Sequence, residues 1–163
     1  MTAEGEIQPG LRRIFAEYKE RGSFTVPILW VDDQGVSNDK LQAFSQAADA
    51  KVKVVEKIDD AVEEWRSGNY VALVVDHFIG EELGFQVIER ISDELNSSPY
   101  ATIVVTNAFL ISRHRSIYDN WGVSNIYRKD QDYGEIGRGF RADIEMLLAG
   151  EGAHPGHENL IGL

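Results

Sequence analysis

The stretch VALVVDHFIGEELG, residues 71–84, contains the pattern that organises the whole chain. A run of apolar residues, most of them valine, leads directly into Asp76 and then into a turn that contains glycine. A short β-branched run without polar alternation is typical of a parallel strand that is covered on both faces. Residues 71–75 are therefore predicted to form a central strand, with Asp76 at its carboxyl end.

Four other segments are predicted to be strands on similar grounds. Three of them are apolar and rich in β-branched residues. The remaining one, residues 51–55, alternates polar and apolar residues, as expected for a strand with one exposed face. In chain order, the predicted strands are residues 26–31, 51–55, 71–75, 101–105 and 123–127.

Helical patterns separate these strands, and another precedes the first. Ser37 and Asp59 are candidate caps for two of these helices, and Leu147 is predicted to face the core in the last one. The predicted helices are residues 10–21, 38–49, 60–66, 85–95, 111–121 and 133–149. This alternation predicts an α/β fold: a doubly wound, five-stranded parallel sheet with right-handed crossovers and an extra N-terminal helix.

The composition limits the class of protein. The 163 residues are 43% hydrophobic and 26% charged, which suits one globular domain, and the absence of cysteine excludes disulfides and thiol chemistry. A net charge of −11 argues against general nucleic-acid binding, because phosphates would be repelled. The chain shows neither a signal-peptide pattern nor an apolar run of membrane-spanning length, so we expect a cytoplasmic protein without membrane contact.

Distinctive polar residues follow four of the predicted strands. Asp32 and Asp33 follow the first strand, Asp76 the third, Thr106 the fourth, and Lys129 comes soon after the fifth. Each alone has an ordinary explanation, since strand-end carboxylates often cap turns and lysine usually lies on the surface. In an open parallel sheet, however, the carboxyl ends of the strands meet at one edge. These residues are therefore predicted to form a single site.

Three crowded carboxylates at such an edge favour a hard divalent cation. Mg²⁺ relieves the repulsion between them, prefers oxygen ligands and usually keeps some waters, which leaves room for phosphoryl oxygens. We expect Asp33 and Asp76 to ligate the ion, and Asp32 to bind it directly or through water.

The chain resembles the receiver domain of two-component response regulators through four motifs. They are ILWVDDQ at residues 28–34, LVVDHFIGEELG at 73–84, IVVTNA at 103–108 and GVSNIYRK at 122–129. The resemblance implies a flavodoxin-like sheet with strand order 2-1-3-4-5. It divides the chain into an N-terminal extension with an amphipathic helix at residues 1–25, a receiver domain at 26–149 and a flexible tail at 150–163.

The resemblance also implies a signalling switch that catalyses at most its own phosphorylation and dephosphorylation. Asp76 would accept a phosphoryl group from a sensor histidine kinase or a phosphotransfer protein. Lys129 would neutralise charge on the group in transit, and the Thr106 hydroxyl would then bond to a phosphoryl oxygen and move its loop. The backbone carbonyl of Phe78 is implied as a further Mg²⁺ ligand.

Because no second domain follows residue 149, output is expected to pass to a downstream protein partner or onward in a phosphorelay. The family's usual communicating face is formed by its fourth helix, fifth strand and fifth helix. These correspond here to the predicted helix at 111–121, strand at 123–127 and helix at 133–149. In this chain that face would include Arg113, His114, Arg115, Tyr127 and Arg138. The helix at 10–21 carries an apolar stripe of Leu11, Ile14, Phe15 and Tyr18. It is expected to dock on its own domain or in a homodimer.

The residue after Lys129 departs from the family pattern. Asp130 replaces the usual proline, which commonly follows a cis peptide bond in this family. Since a cis bond before a non-proline residue costs about 3 kcal/mol, we expect either a trans bond with a rearranged loop or a strained cis bond. Asp130 also adds negative charge that could draw Lys129 partly away from Asp76.

Three further departures concern the switch and the phosphorylation loop. Ile126 occupies the position of the usual switching aromatic residue, and Tyr127 cannot replace it because successive strand residues point to opposite faces. Gly80 replaces a proline and makes its loop more flexible. Phe78 is apolar where many members carry a polar residue, and its ring is predicted to hinder the water that hydrolyses the acyl phosphate.

Two other functions remain as alternatives. A degenerate receiver that serves as a phosphorylation-independent protein-interaction module is favoured by Ile126 and Asp130 but opposed by the intact site. An enzyme on a similar sheet fits less well. A haloacid-dehalogenase-type phosphatase needs a second acidic residue where this chain has Gln34, and the phosphate of a flavin would be repelled by Asp32 and Asp33.

Overall fold

The computed structural model describes residues 9–68, 70–95 and 101–150. Within these ranges, strands and helices alternate as predicted. The strands are β1 Val26–Val31, β2 Ala50–Val55, β3 Ala72–Val75, β4 Phe78–Ile79, β5 Glu82–Leu83, β6 Ala101–Thr106 and β7 Asn125–Arg128. The helices are α1 Pro9–Arg21, α2 Asn38–Ala48, α3 Ile58–Ser67, α4 Gly84–Leu95, α5 Ser112–Asn120 and α6 Tyr133–Gly150.

Five strands form one parallel sheet in the order β2-β1-β3-β6-β7. This is the predicted 2-1-3-4-5 order, because β4 and β5 form a separate antiparallel hairpin after β3. The hairpin was not predicted, since its two-residue strands are too short to show a periodic pattern. Pairing of Val31 with Val75 aligns the carboxyl ends of β1 and β3, and pairing of Val75 with Val104 places the end of β6 two residues further along.

The sheet separates two apolar layers. One layer includes Trp30, Phe44 and Phe140 and lies under α1, α2 and α6. The other includes residues such as Leu29 and Val75 and lies under α3, α4 and α5. Alternate residues of β1 therefore enter opposite layers, as the pleat of a strand requires. Both faces of the central strands are covered, which explains their continuous apolar sequence.

Helix α1 docks on its own domain. Ile14 and Tyr18 are buried, and the Tyr18 ring contacts the Phe24 ring edge-on at 5.2 Å between centroids. Arg141 packs beside Phe24. Its Nη1 donates a hydrogen bond to the Phe24 carbonyl at 2.7 Å, and its guanidinium lies 3.8 Å from the Phe24 ring centre. Leu11 belongs to this helix, but the structure does not describe its side chain.

Two details of the helix predictions are wrong, and Ser37 takes the predicted N-cap position of α2 but its side chain makes no capping hydrogen bond. Helix α3 begins at Ile58 after Lys57, so Asp59 lies in its first turn, where a negative charge stabilises the helix dipole. Leu147 is 40% exposed, because it lies one residue, about 100° of helix rotation, from buried Leu148.

Of the predicted tail at 150–163, Gly150 is instead the last residue of α6, and residues 151–163 lie outside the described residues. No helix within residues 9–68, 70–95 and 101–150 is long and apolar enough to cross a membrane.

Candidate functional site

Main-chain hydrogen bonds extend the sheet just beyond its strands and fix the site residues in place. The Asp76 N–H donates to the Val31 carbonyl at 3.0 Å, and the Lys129 N–H donates to the Thr106 carbonyl at 3.1 Å. The Asp32 N–H bonds in the same way to the neighbouring strand β2. The positions of these residues therefore follow from the register of the sheet.

The Lys129 ammonium joins two buried carboxylates. Its Nζ lies 2.7 Å from Asp32 Oδ2 and 2.8 Å from Asp76 Oδ2. Only 14% of the lysine side chain is exposed. Asp130 does not draw it away: the Asp130 carboxylate pairs with Arg128, at 3.3 Å from Nε. The bond between Lys129 and Asp130 is trans, as are all described peptide bonds, so the alternative of a strained cis bond is wrong.

Burial and charge compete at this ion pair. Burial raises the pKa of Asp32, although hydrogen bonds from Lys129 and from the Gln34 N–H oppose the rise. Burial alone would lower the pKa of Lys129, but hydrogen bonds to Asp32 and Asp76 and their negative charges raise it. Lys129 is therefore a cation at neutral pH and compensates the acidic edge.

Asp33 completes an acidic cluster on the solvent side. Its Oδ2 accepts a hydrogen bond from the Gly80 N–H at 2.9 Å, which ties the hairpin to the β1–α2 loop. One carboxylate oxygen from each of Asp32, Asp33 and Asp76 lies within 4.8 Å of the others. Three clustered carboxylate oxygens, one of them on an exposed side chain, fit the ligand preference of a hard divalent cation.

The second oxygen of Asp76 and the Thr106 hydroxyl are held by the main chain. Asp76 Oδ1 accepts a hydrogen bond from the His77 N–H at 2.6 Å. Thr106 is buried at the end of β6, where its Oγ1 accepts a hydrogen bond from the Ala108 N–H at 3.1 Å. In this state the hydroxyl stabilises its own loop, and its predicted role as a switch stays a prediction.

The structure shows where the side chains of Ile126 and Phe78, two departures from the receiver pattern, lie. Ile126 packs into the layer under α3, α4 and α5, whereas Tyr127 packs into the opposite layer, which confirms that they point to different faces. Phe78 belongs to the hairpin, is 53% exposed, and contacts the His77 ring at 4.7 Å between centroids. The role of its carbonyl as a metal ligand stays a prediction.

Sequence reasoning missed a buried polar group directly beside the acidic cluster. His77 is 1% exposed and bonds through its ring to Tyr118 and His114, both on α5. The four-residue spacing of His114 and Tyr118 places both side chains on one face of a helix and was the available signal. The sequence alone did not indicate that this face meets the residue after Asp76.

Comparison with known proteins gives a consistent result at the level of fold. No protein-family model matches the chain, and no curated protein matches it. Many solved structures do match. A response-regulator receiver domain protein (CheY-like) from Methanospirillum hungatei JF-1 superposes with a TM-score of 0.62 at 13% identity, covering 78% of this chain and 99% of the other.

Two more neighbours share the architecture. The signal receiver domain of a DNA-binding response regulator from Colwellia psychrerythraea 34H gives a TM-score of 0.61 at 20% identity, covering 74% of this chain and 98% of that one. A response regulator from Burkholderia pseudomallei, with a phosphorylated aspartic acid, a calcium ion and citrate, gives 0.56 at 16% identity, covering 77% and 72%. Together with the strand order, these matches show that the chain has the fold of response-regulator receiver domains.

Proposed function

We propose that this chain is a response-regulator receiver that accepts a phosphoryl group on Asp76 in a Mg²⁺-dependent reaction. The observation that carries the proposal is the arrangement of charge at the sheet edge. Lys129 contacts both Asp32 and Asp76, while an oxygen of Asp33 approaches both carboxylates. This arrangement supplies a carboxylate nucleophile, a fixed cation and a candidate metal site within one small volume.

The transfer step follows from the positions of these groups. A carboxylate oxygen of Asp76 attacks the phosphorus of the donor, and a new O–P bond forms as the bond to the leaving group breaks. The leaving group keeps the electron pair, and a phosphohistidine donor whose other ring nitrogen carries a proton leaves as a neutral imidazole with that N–H. The Lys129 ammonium, 2.8 Å from Asp76, stays beside the developing negative charge.

The residues present fit a divalent cation. Asp33 and Asp76 would hold it, with Asp32 bound directly or through water and the Phe78 carbonyl as a further ligand. When bound, Mg²⁺ supplies positive charge that offsets the carboxylates and the phosphoryl oxygens. The structural neighbour from Burkholderia pseudomallei, which contains a phosphorylated aspartic acid and a calcium ion, supports this combination of groups.

Phosphorylation by a small donor tests the proposal directly. The chain is incubated with acetyl phosphate, with Mg²⁺ or with EDTA, and its intact mass is measured. We expect the wild-type chain to gain one phosphoryl group only with Mg²⁺, and Asp76→Asn to gain none. Asp39→Asn, which changes an exposed acid in the first turn of α2, is the matched control and should behave as wild type. A gain that persists in Asp76→Asn would contradict the assignment.

The proposal includes partners on two sides of the switch. A sensor histidine kinase or a phosphotransfer protein would deliver the phosphoryl group in the cytoplasm, and a downstream protein would read the result. Arg113, Arg115 and Arg138 are exposed and His114 is half-buried, so the predicted communicating face presents positive charge on a chain of net charge −11. An acidic partner surface would complement this face.

A degenerate receiver is the second candidate, and one observation favours it. The position of the usual switching aromatic residue is Ile126, which packs into the core layer under α3, α4 and α5. Such a chain would bind its partner in a single state. No mass gain with acetyl phosphate and Mg²⁺, together with unchanged partner binding by Asp76→Ala, would establish this alternative.

A further inference from the structure

A buried chain of hydrogen bonds runs from the residue after Asp76 to helix α5. The His77 ring contacts the Tyr118 hydroxyl through Nδ1 at 2.8 Å and His114 Nδ1 through Nε2 at 3.1 Å. His77 and Tyr118 are fully buried, and His114 is half-buried. Buried polar side chains with complete hydrogen bonding hold a single arrangement, because any rearrangement leaves a donor or acceptor without a partner.

The tautomer of His77 sets the direction of both ring hydrogen bonds. Burial strongly raises the pKa of Tyr118, so its phenol stays protonated, and the Phe85 main chain also bonds to its oxygen. With the His77 proton on Nε2, the Tyr118 O–H donates to Nδ1 and the Nε2–H donates to His114 Nδ1; with the proton on Nδ1, both bonds reverse. Burial and the nearby His114 lower the pKa of His77, in agreement with a neutral ring in this role.

The same residue fixes the acceptor carboxylate from the main-chain side. The His77 N–H donates to Asp76 Oδ1, and the Gly84 N–H donates to the His77 carbonyl at 2.8 Å. A Cβ atom at Gly84 would overlap the Asp76 carbonyl oxygen and lie 2.7 Å from the Tyr118 hydroxyl. The Asp76 backbone, the start of α4 and Tyr118 are therefore closely packed, and the hydrogen-bonded ring restrains the His77 peptide.

His114, at the other end of this series of hydrogen bonds, lies at the surface of α5. His114 lies between exposed Arg113 and Arg115. The aromatic side chain that would relay the state of Thr106 is absent, because that position is Ile126, which packs into the core layer under α3, α4 and α5. The histidine chain is a contiguous physical connection between the carboxylate and the helix that carries these arginines.

We propose, on the basis of the function proposed above, that His77 is a positioning residue for Asp76 and that Tyr118 and His114 couple the carboxylate to α5. Phosphorylation changes the charge on Asp76 and the strength of its hydrogen bond to the His77 N–H. That change alters the position of the ring and the bond to His114. Loss of these hydrogen bonds at α5 in turn removes a restraint on the His77 peptide and so alters the reaction at Asp76.

Substitutions of the hydrogen-bonded residues test the positioning role of His77. The rate of phosphorylation by acetyl phosphate is measured for each variant at fixed Mg²⁺. His77→Leu removes both ring hydrogen bonds and is expected to slow the reaction about tenfold, the effect of losing one buried polar interaction. His77→Asn restores an acceptor for the Tyr118 hydroxyl and should recover most of the rate. Tyr118→Phe should also slow the reaction, whereas Tyr70→Phe, which removes a phenol hydroxyl that donates to Glu64 before the start of β3, should leave it unchanged.

The coupling between Asp76 and α5 is measured in the wild-type protein, so the result does not depend on whether the variants fold. Ring ¹⁵N resonances of His114, assigned with His114→Gln, are recorded with Mg²⁺ before and after addition of acetyl phosphate, while intact mass reports phosphorylation. They are expected to shift in wild type and to stay fixed in Asp76→Asn. Unmoved resonances in a chain that has gained phosphate overturn the coupling alone, and a wild-type rate in His77→Leu overturns the positioning role. A wild-type chain that gains no phosphate overturns the proposed function, and the coupling with it.

Discussion

Replacement of Lys129 by methionine would test whether a buried ammonium stabilises the acidic edge. Its Nζ contacts Asp32 and Asp76, whose side chains are 2% and 9% exposed. Removal of one partner from a buried ion pair typically costs about 3–5 kcal/mol, because the other charge loses its compensation. Since burial raises the pKa of Asp32, that carboxyl can take up a proton in the variant, which limits the penalty. We therefore expect a loss of about 3 kcal/mol in the free energy of unfolding without divalent ions.

The adjacent residue provides a matched control. Arg128→Met removes the same charge, but the Arg128 pair with Asp130 is exposed, at 53% and 66% of the two side chains. Exposed ion pairs contribute about 0–1 kcal/mol, so this variant should lose less than about 1 kcal/mol.

Urea denaturation at neutral pH, followed by circular dichroism, measures both variants in EDTA and in Mg²⁺. Mg²⁺ should raise the unfolding free energy of Lys129→Met by more than that of wild type, because the ion replaces the missing positive charge. Equal losses for Lys129→Met and Arg128→Met in EDTA would show that the buried pair does not stabilise the fold. An identical response of wild type and Lys129→Met to Mg²⁺ would refute the view that the two cations share one acidic site.

Three further predictions concern other parts of the structure. Gly84→Ala should lose about 2–3 kcal/mol on urea denaturation because its Cβ would overlap the Asp76 carbonyl oxygen. Gly80→Ala, at φ +62° with open space around it, should lose only about 1 kcal/mol from backbone strain, and equal losses would contradict the packing argument. Phe78→Asn should shorten the lifetime of the phosphorylated chain, measured by the decay of its mass, and an unchanged lifetime would show that the ring does not exclude water. Burial and a hydrogen bond to a glutamate raise the pKa of Tyr70 from 10.0 to about 12. The protonated Tyr70 hydroxyl therefore contributes fully to the free energy of unfolding below pH 10, and this contribution is lost as the pH rises towards 12. Tyr70→Phe should weaken the dependence of the unfolding free energy on pH in this range.

The sequence was sufficient to predict the architecture, because the pattern of apolar residues in each strand indicates which of its faces are buried. Strand β1 has the predicted bounds, and the sheet order agrees with the resemblance to receivers. The convergence of Asp32, Asp76 and Lys129 was also predictable, since parallel strands present their carboxyl ends at one edge whatever the details of packing. These features depend on patterns that repeat along the chain, and such patterns can be read without coordinates.

Tertiary structure alone decided which polar groups bond to one another. The pairing of Asp130 with Arg128 instead of Lys129 depends on how the chain turns after β7, and the contact of His77 with His114 depends on the distance between side chains from separate elements. Neighbours in sequence do not fix such distances, because the helix that carries His114 reaches its place only when its apolar face packs on the sheet. The amino-acid sequence determined where charges gather, and the packed fold determined how they are paired.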